Sequence, residues 1–144
     1  MNGKQPYWII FTIFLVSLAA EIGLIVSQGR DIFGPELEAA AKQMLSVYAV
    51  HFAVILGGIF ANKDADFPVP PPNVGWAAIA LSSLWNVLVL WRVVWFAFDS
   101  GDKIEFLREY LQTVPAESAF LVTGMLTYFF ATSSKKAGRK GRSA

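Results

Sequence analysis

Residues Gly75 to Phe98 read GWAAIALSSLWNVLVLWRVVWFAF, 24 residues in which Arg92 is the single charge. A helix of this length covers about 36 Å at 1.5 Å per residue, enough to cross a hydrocarbon core of roughly 30 Å. Three further apolar blocks accompany it: Tyr7 to Val26, Leu45 to Ala61 and Ala116 to Thr132. With 55% hydrophobic and 16% charged residues, the chain departs from soluble domains, in which about a quarter of residues are charged. The expected fold is therefore an all-α integral membrane protein with four transmembrane helices in an antiparallel bundle. One membrane domain would occupy residues 1 to 134 and a basic tail residues 135 to 144. The first block is too long for a signal-peptide core and lacks a small-residue cleavage site, so it reads as a retained span.

Orientation follows from the basic residues. With both termini cytoplasmic, Lys4, Lys63, Lys135, Lys136, Arg139, Lys140 and Arg142 lie inside, against Arg30, Lys42, Lys103 and Arg108 outside, as the positive-inside rule favours. The inner loop carries the extended, stiff run Pro68-Val69-Pro70-Pro71-Pro72. On the outer side, Pro35 suits a first helical turn and Glu36 and Glu38 suit the positive end of the helix dipole. The second helix should thus begin near Pro35 and project beyond the membrane. Between spans 3 and 4, Ile104, Leu107 and Leu111 share one face of a charged segment, predicting a short amphipathic helix at the outer interface. Pro115 and Glu117 would then restart the chain as helix 4. Tyr7, Trp8, Trp76, Trp95, Phe96 and Phe98, at the ends of the runs, fit interfacial anchoring.

Glu21, His51 and Arg92 are ionisable residues inside three separate spans. Counted from the outer ends of their helices, each lies about 8 to 9 Å deep, and Thr123 falls near the same layer. Buried charge in hydrocarbon marks ion pathways, proton relays or ligand sites. Three uses of this polar layer stay open: a Glu21–Arg92 ion pair that clamps the helices, an Arg92 that snorkels to the headgroups, and a conducting site. Asn86, with Ser82 and Ser83 one turn earlier, gives helix 3 a second polar strip about 120° from Arg92. Such a strip suits a subunit interface, a water-filled lumen or a bond within the subunit. Ala19 with Gly23, and Ala53 with Gly57, form small pairs that permit close helix contact.

Several chemistries find no support in the residues. The absence of cysteine excludes disulfides and thiolate metal sites. A single histidine cannot supply two axial ligands to a haem, and the carboxylates lack metal-ligand spacing, so no metal, cofactor or catalytic residues are expected. Ser46, Ser82 and Ser83 belong to no nucleophile motif, and an enzyme is not expected. Lys135, Lys136, Arg139, Lys140 and Arg142, directly after a span, read as a lipid-headgroup or topology anchor rather than a nucleic-acid site.

In size, span number and basic tail the chain is comparable with small bacterial permeabilising proteins such as phage holins and the membrane effectors of antiphage systems, an analogy of class without a shared motif. It implies a bacterial inner membrane. The expected function is a homo-oligomeric ion-conducting or membrane-permeabilising assembly. Its rivals are an accessory or scaffold subunit bound to a membrane or soluble partner, and a small-molecule or lipid sensor.

Overall fold

The computed structural model describes residues 5–28, 34–61, 71–98 and 103–140, the side chains of Gln5, Gln28, Leu37, Ala116 and residues 133–140 excepted. The regular structure among them is helical, with no strand: α1 (Gln5–Gln28), α2 (Gly34–Ala61), α3 (Pro72–Phe98) and α4 (Ile104–Lys140). Stretches long and apolar enough to cross a membrane are Pro6–Ser27, Glu38–Ala61 and Pro72–Phe98, and α4 makes a fourth when its two arms count as one span.

The helix starts follow from local chemistry. Gly34 and Pro35 open α2, which at 28 residues is about 42 Å long. At α3, the Pro71 carbonyl accepts from the Val74 and Gly75 amides at 2.9 and 3.1 Å, and Pro72 occupies the first turn, where a missing N–H costs nothing. The preceding prolines, Pro68 and Pro70, lie outside the described residues.

The helices form a ring in which α1 touches α2 and α3, and α4 touches the same two. Connection length explains this order. Five residues separate α1 from α2 and five separate α3 from α4, so each pair closes as an antiparallel hairpin. Ten residues separate α2 from α3, enough to cross the diagonal of the bundle. The bundle is consequently antiparallel only within each hairpin. Gln43 bonds the Arg108 carbonyl at 3.1 Å and His51 meets Thr123 at 3.3 Å, so α2 and α4 run side by side in one direction.

The expected amphipathic helix is present as the first arm of α4, set at 42° to the arm that follows. Ile104, Leu107 and Leu111 are buried against the bundle. Pro115 bends α4 by 42° between Ile104–Pro115 and Glu117–Thr132 instead of ending it. A proline inside a helix removes one backbone bond and pushes its ring against the preceding turn, which kinks a helix that tertiary contacts hold on both sides.

Packing fills the interior in three tiers. Near the start of α1, the Tyr7 ring packs at a tilt on Phe129 and Phe130 at 4.9 and 5.4 Å and is buried, which corrects the expected interfacial role of Tyr7. In the middle, the Phe14 ring meets Tyr48, His51, Phe52 and Trp85. Toward the hairpin end lie Ile25, Met44, Val93, Leu107 and Leu111. Phe96, also expected at the interface, is buried there. The outside of the bundle is apolar too, with Trp76, Phe98 and Phe120 exposed at 61%, 78% and 69%.

The small pairs face outward. Gly23 and Gly57 have no atom within 4 Å of where a Cβ would stand, and Ala19 and Ala53 are exposed. Close contact falls instead on Gly58, against the Phe130 ring.

Candidate functional site

Each helix brings polar side chains to the middle of the bundle. Glu21 comes from α1, Tyr48 and His51 from α2, Ser82 and Asn86 from α3, and Ser118 and Thr123 from α4. Glu21, His51, Ser82 and Asn86 are all buried, at most 2% exposed. Burial of four such groups in one small interior is costly unless they are hydrogen-bonded.

Tyr48 joins them. Its hydroxyl lies 2.9 Å from Glu21 Oε1 and 2.8 Å from Asn86 Oδ1, tying α1, α2 and α3 together. Asn86 Nδ2 donates to the Ser82 carbonyl at 2.8 Å, one turn back on α3. His51, one turn beyond Tyr48, sits edge-on to Trp85 with ring centres 4.5 Å apart. Its Nδ1 lies 3.3 Å from Thr123 Oγ1. Trp85 Nε1 donates to Ser118 Oγ at 3.1 Å, and that hydroxyl donates to the Val114 carbonyl at 2.7 Å, just past the α4 bend.

Three buried polar atoms of this island have no hydrogen-bond partner among the described residues: Glu21 Oε2, His51 Nε2 and Ser82 Oγ. Native proteins rarely leave such atoms unmet, and water or a bound ion meets them where they occur.

The sequence placed Glu21, His51, Arg92 and Thr123 at one depth, and the structure joins only some of them. His51 and Thr123 pair. Glu21 bonds Tyr48 and forms no ion pair with Arg92. The reason is angular: six residues past Asn86, Arg92 points about 120° away, toward the first arm of α4. There its guanidinium carbon stands 5.8 Å from the centre of the Tyr110 ring, whose hydroxyl donates to the Leu88 carbonyl at 3.3 Å.

In the polar strip of helix 3, the structure shows hydrogen bonds within the chain, one of the uses the sequence left open. Ser82 and Asn86 face the interior of their own chain, where Asn86 is fully engaged. Ser83 borders the outside, in an open groove of about 380 Å³ between α1 and α3 that it lines with Thr12, Ser17 and an edge of Asn86. Tyr48, the central connector, was not singled out from the sequence, because a phenol in an apolar run counts as one more aromatic. Its spacing of three residues from His51, which puts both on one helix face, was the available signal. Lys135, Lys136, Arg139 and Lys140 fall in the last turns of α4, where side chains are not described, and Arg142 lies outside the described residues.

Removing the Ser118 hydroxyl isolates the buried indole N–H of Trp85. Ser118→Ala should destabilise the bundle by about 1 to 3 kcal/mol, the cost of an unmet buried donor, and Ser118→Thr should not. Thermal unfolding in detergent reads the difference.

The chain matches no family model, no curated protein and no solved structure.

Proposed function

We propose that the chain is an integral membrane protein with four spans and cytoplasmic termini, and that its central polar island is the gate of an ion route. The apolar exterior supports insertion, since aromatic and aliphatic side chains exposed on every helix would form a large unfavourable surface in water. The excess of Lys and Arg on the side of the termini, most of it in the tail, supports the orientation.

The observation that carries the route is the island itself. All four helices contribute to it, and polar groups held inside a membrane bundle at this cost mark pathways for ions or protons. The inward turn of Ser82 and Asn86 favours a route within each chain over one between subunits. Homo-oligomers would then repeat the route without being needed to form it. In the form described the route is shut. Tyr7, Ile10 and Phe129 fill the interior on one side of the island, and Ile25, Met44, Leu107 and Leu111 fill it on the other.

Purified protein in liposomes tests this reading. Ion flux is expected once a gradient, voltage or acidification opens the bundle, and Asn86→Leu should change it. No flux of protons, potassium or chloride under any of these triggers would overturn the route. A second reading, an accessory subunit of a larger complex, draws on the same sealed interior and on the charged first arm of α4, where Phe106 is 53% exposed. Stable co-purification with a partner from native membranes, without flux, is the result that reading predicts.

A further inference from the structure

The hydrogens of the island can be counted. A tyrosine hydroxyl has one hydrogen, yet the Tyr48 oxygen stands 2.9 Å from a carboxylate oxygen of Glu21 and 2.8 Å from the amide oxygen of Asn86. Tyr48 cannot donate to both. Turning the Asn86 amide over would relieve this, but its other end lies 2.8 Å from the Ser82 carbonyl. In the turned orientation two carbonyl oxygens would confront each other at that distance. The Ser82 carbonyl therefore fixes the amide: Nδ2 donates to it, Oδ1 faces Tyr48, and Tyr48 must donate to Oδ1. One contact is left, between Glu21 Oε1 and a lone pair of the Tyr48 oxygen. It is a hydrogen bond only when Glu21 supplies the hydrogen.

We propose that Glu21 is a proton-binding site, held as the neutral acid at the head of a directed chain from Glu21 through Tyr48 and Asn86 to the Ser82 carbonyl. We further assign the proton as the ion this island takes. Loading adds one proton from the aqueous phase to the Glu21 carboxylate and changes no other covalent bond. Unloading leaves two acceptors facing each other, so Tyr48 must turn its hydrogen to Glu21 and Asn86 must rotate, breaking the bond to Ser82. Release of the proton thus loosens the contact among α1, α2 and α3.

The surroundings fit a proton better than a metal cation. Metal cations of the sodium, calcium or magnesium kind take about six oxygen ligands or more. Glu21 is the only carboxylate in the island, and among the described residues no three His, Cys, Asp or Glu side chains gather to hold a metal ion. The titratable group in contact with Glu21 is Tyr48 on α2, with His51 one turn farther along that helix against Phe14, Trp85 and Thr123. On α3 the groups linked to it through Tyr48 are the neutral Asn86 and, beyond it, Ser82, while Arg92 is turned to Tyr110. On α4 the island presents the neutral Ser118 and Thr123.

The identity of the ion rests on reading the island as an ion route; the protonation of Glu21 does not. Infrared spectroscopy of the full chain in lipid nanodiscs at neutral pH addresses the protonation. A carbonyl band of a neutral carboxylic acid is expected, sensitive to deuterium exchange and lost in Glu21→Gln. Its absence from the wild type, or its persistence in Glu21→Gln, would overturn the proposal. Should Glu21→Gln fail to fold, Tyr48→Phe keeps the acid and removes its partner, so the band must shift; an unmoved band would overturn the proposal. Proteoliposomes carrying equal proton and potassium gradients address the ion. Proton flux lost in Glu21→Gln supports the assignment, and potassium flux that survives Glu21→Gln overturns it. The band without flux of either ion supports the proton site and counts against the route.

Discussion

Phe14→Ala is expected to destabilise the bundle by about 3 to 5 kcal/mol, the range for deleting a buried phenylalanine. Phe14 is fully buried, and its ring lies 5.9 Å from Tyr48, 5.1 Å from His51, 6.3 Å from Phe52 and 5.8 Å from Trp85. It is the apolar wall against which the polar island stands. In lipid the gain from removing apolar surface from water is small between helices, but the loss of dispersion contacts around a cavity remains. Val16→Ala, two residues along on an exposed face, provides the control and should leave the melting temperature nearly unchanged. A Phe14→Ala protein that melts with the wild type would mean that the central aromatic tier does not hold the helices together.

Gly58→Leu is expected to be comparably damaging. A Cβ at Gly58 would overlap the Phe130 ring, which is itself packed on Tyr7 and on Phe129. No glycine among the described residues has positive φ, so this one serves close approach rather than backbone freedom. Overpacking of this kind costs about 1 to 3 kcal/mol and more when the neighbour cannot move. Gly57→Leu, with open space at the same height, should be tolerated. Adding Phe130→Ala to Gly58→Leu should recover part of the loss, because the ring that obstructs the new side chain is then gone. Unfolding midpoints of the four proteins in one detergent make the comparison.

The long apolar helices were legible because windows of 18 or more apolar residues leave few alternatives. The start of α2 was legible as well, since Gly34, Pro35 and Glu36 are each suited to a helix N-terminus. Which side chains meet was much less so. Counting along a helix gives height and leaves the direction around the axis open, so Glu21 and Arg92 shared a depth without sharing a face. The ring order depended on the ten residues between α2 and α3, whose length permits a diagonal crossing but does not require one. Pro115 read as a helix start because proline disfavours a helix interior, yet buried Leu107 and Leu111 before it and Val122 and Leu126 after it hold both arms in place. For Asn86 the sequence left an outward and an inward partner equally open, because the inward one, Tyr48, was counted among the hydrophobic residues.

The claim on which the rest depends is that Glu21, Tyr48 and Asn86 form one unit inside a single chain. A double-mutant cycle with Glu21→Leu and Asn86→Leu, read as unfolding free energy, tests it most directly. The two residues are joined through the Tyr48 hydroxyl, so their effects should fail to add, by about 0.5 to 3 kcal/mol. The parallel cycle of Glu21→Leu with Arg92→Met should add to within about 0.5 kcal/mol. Additive effects for Glu21 and Asn86, with coupling for Glu21 and Arg92, would contradict the island and restore an ion pair in its place.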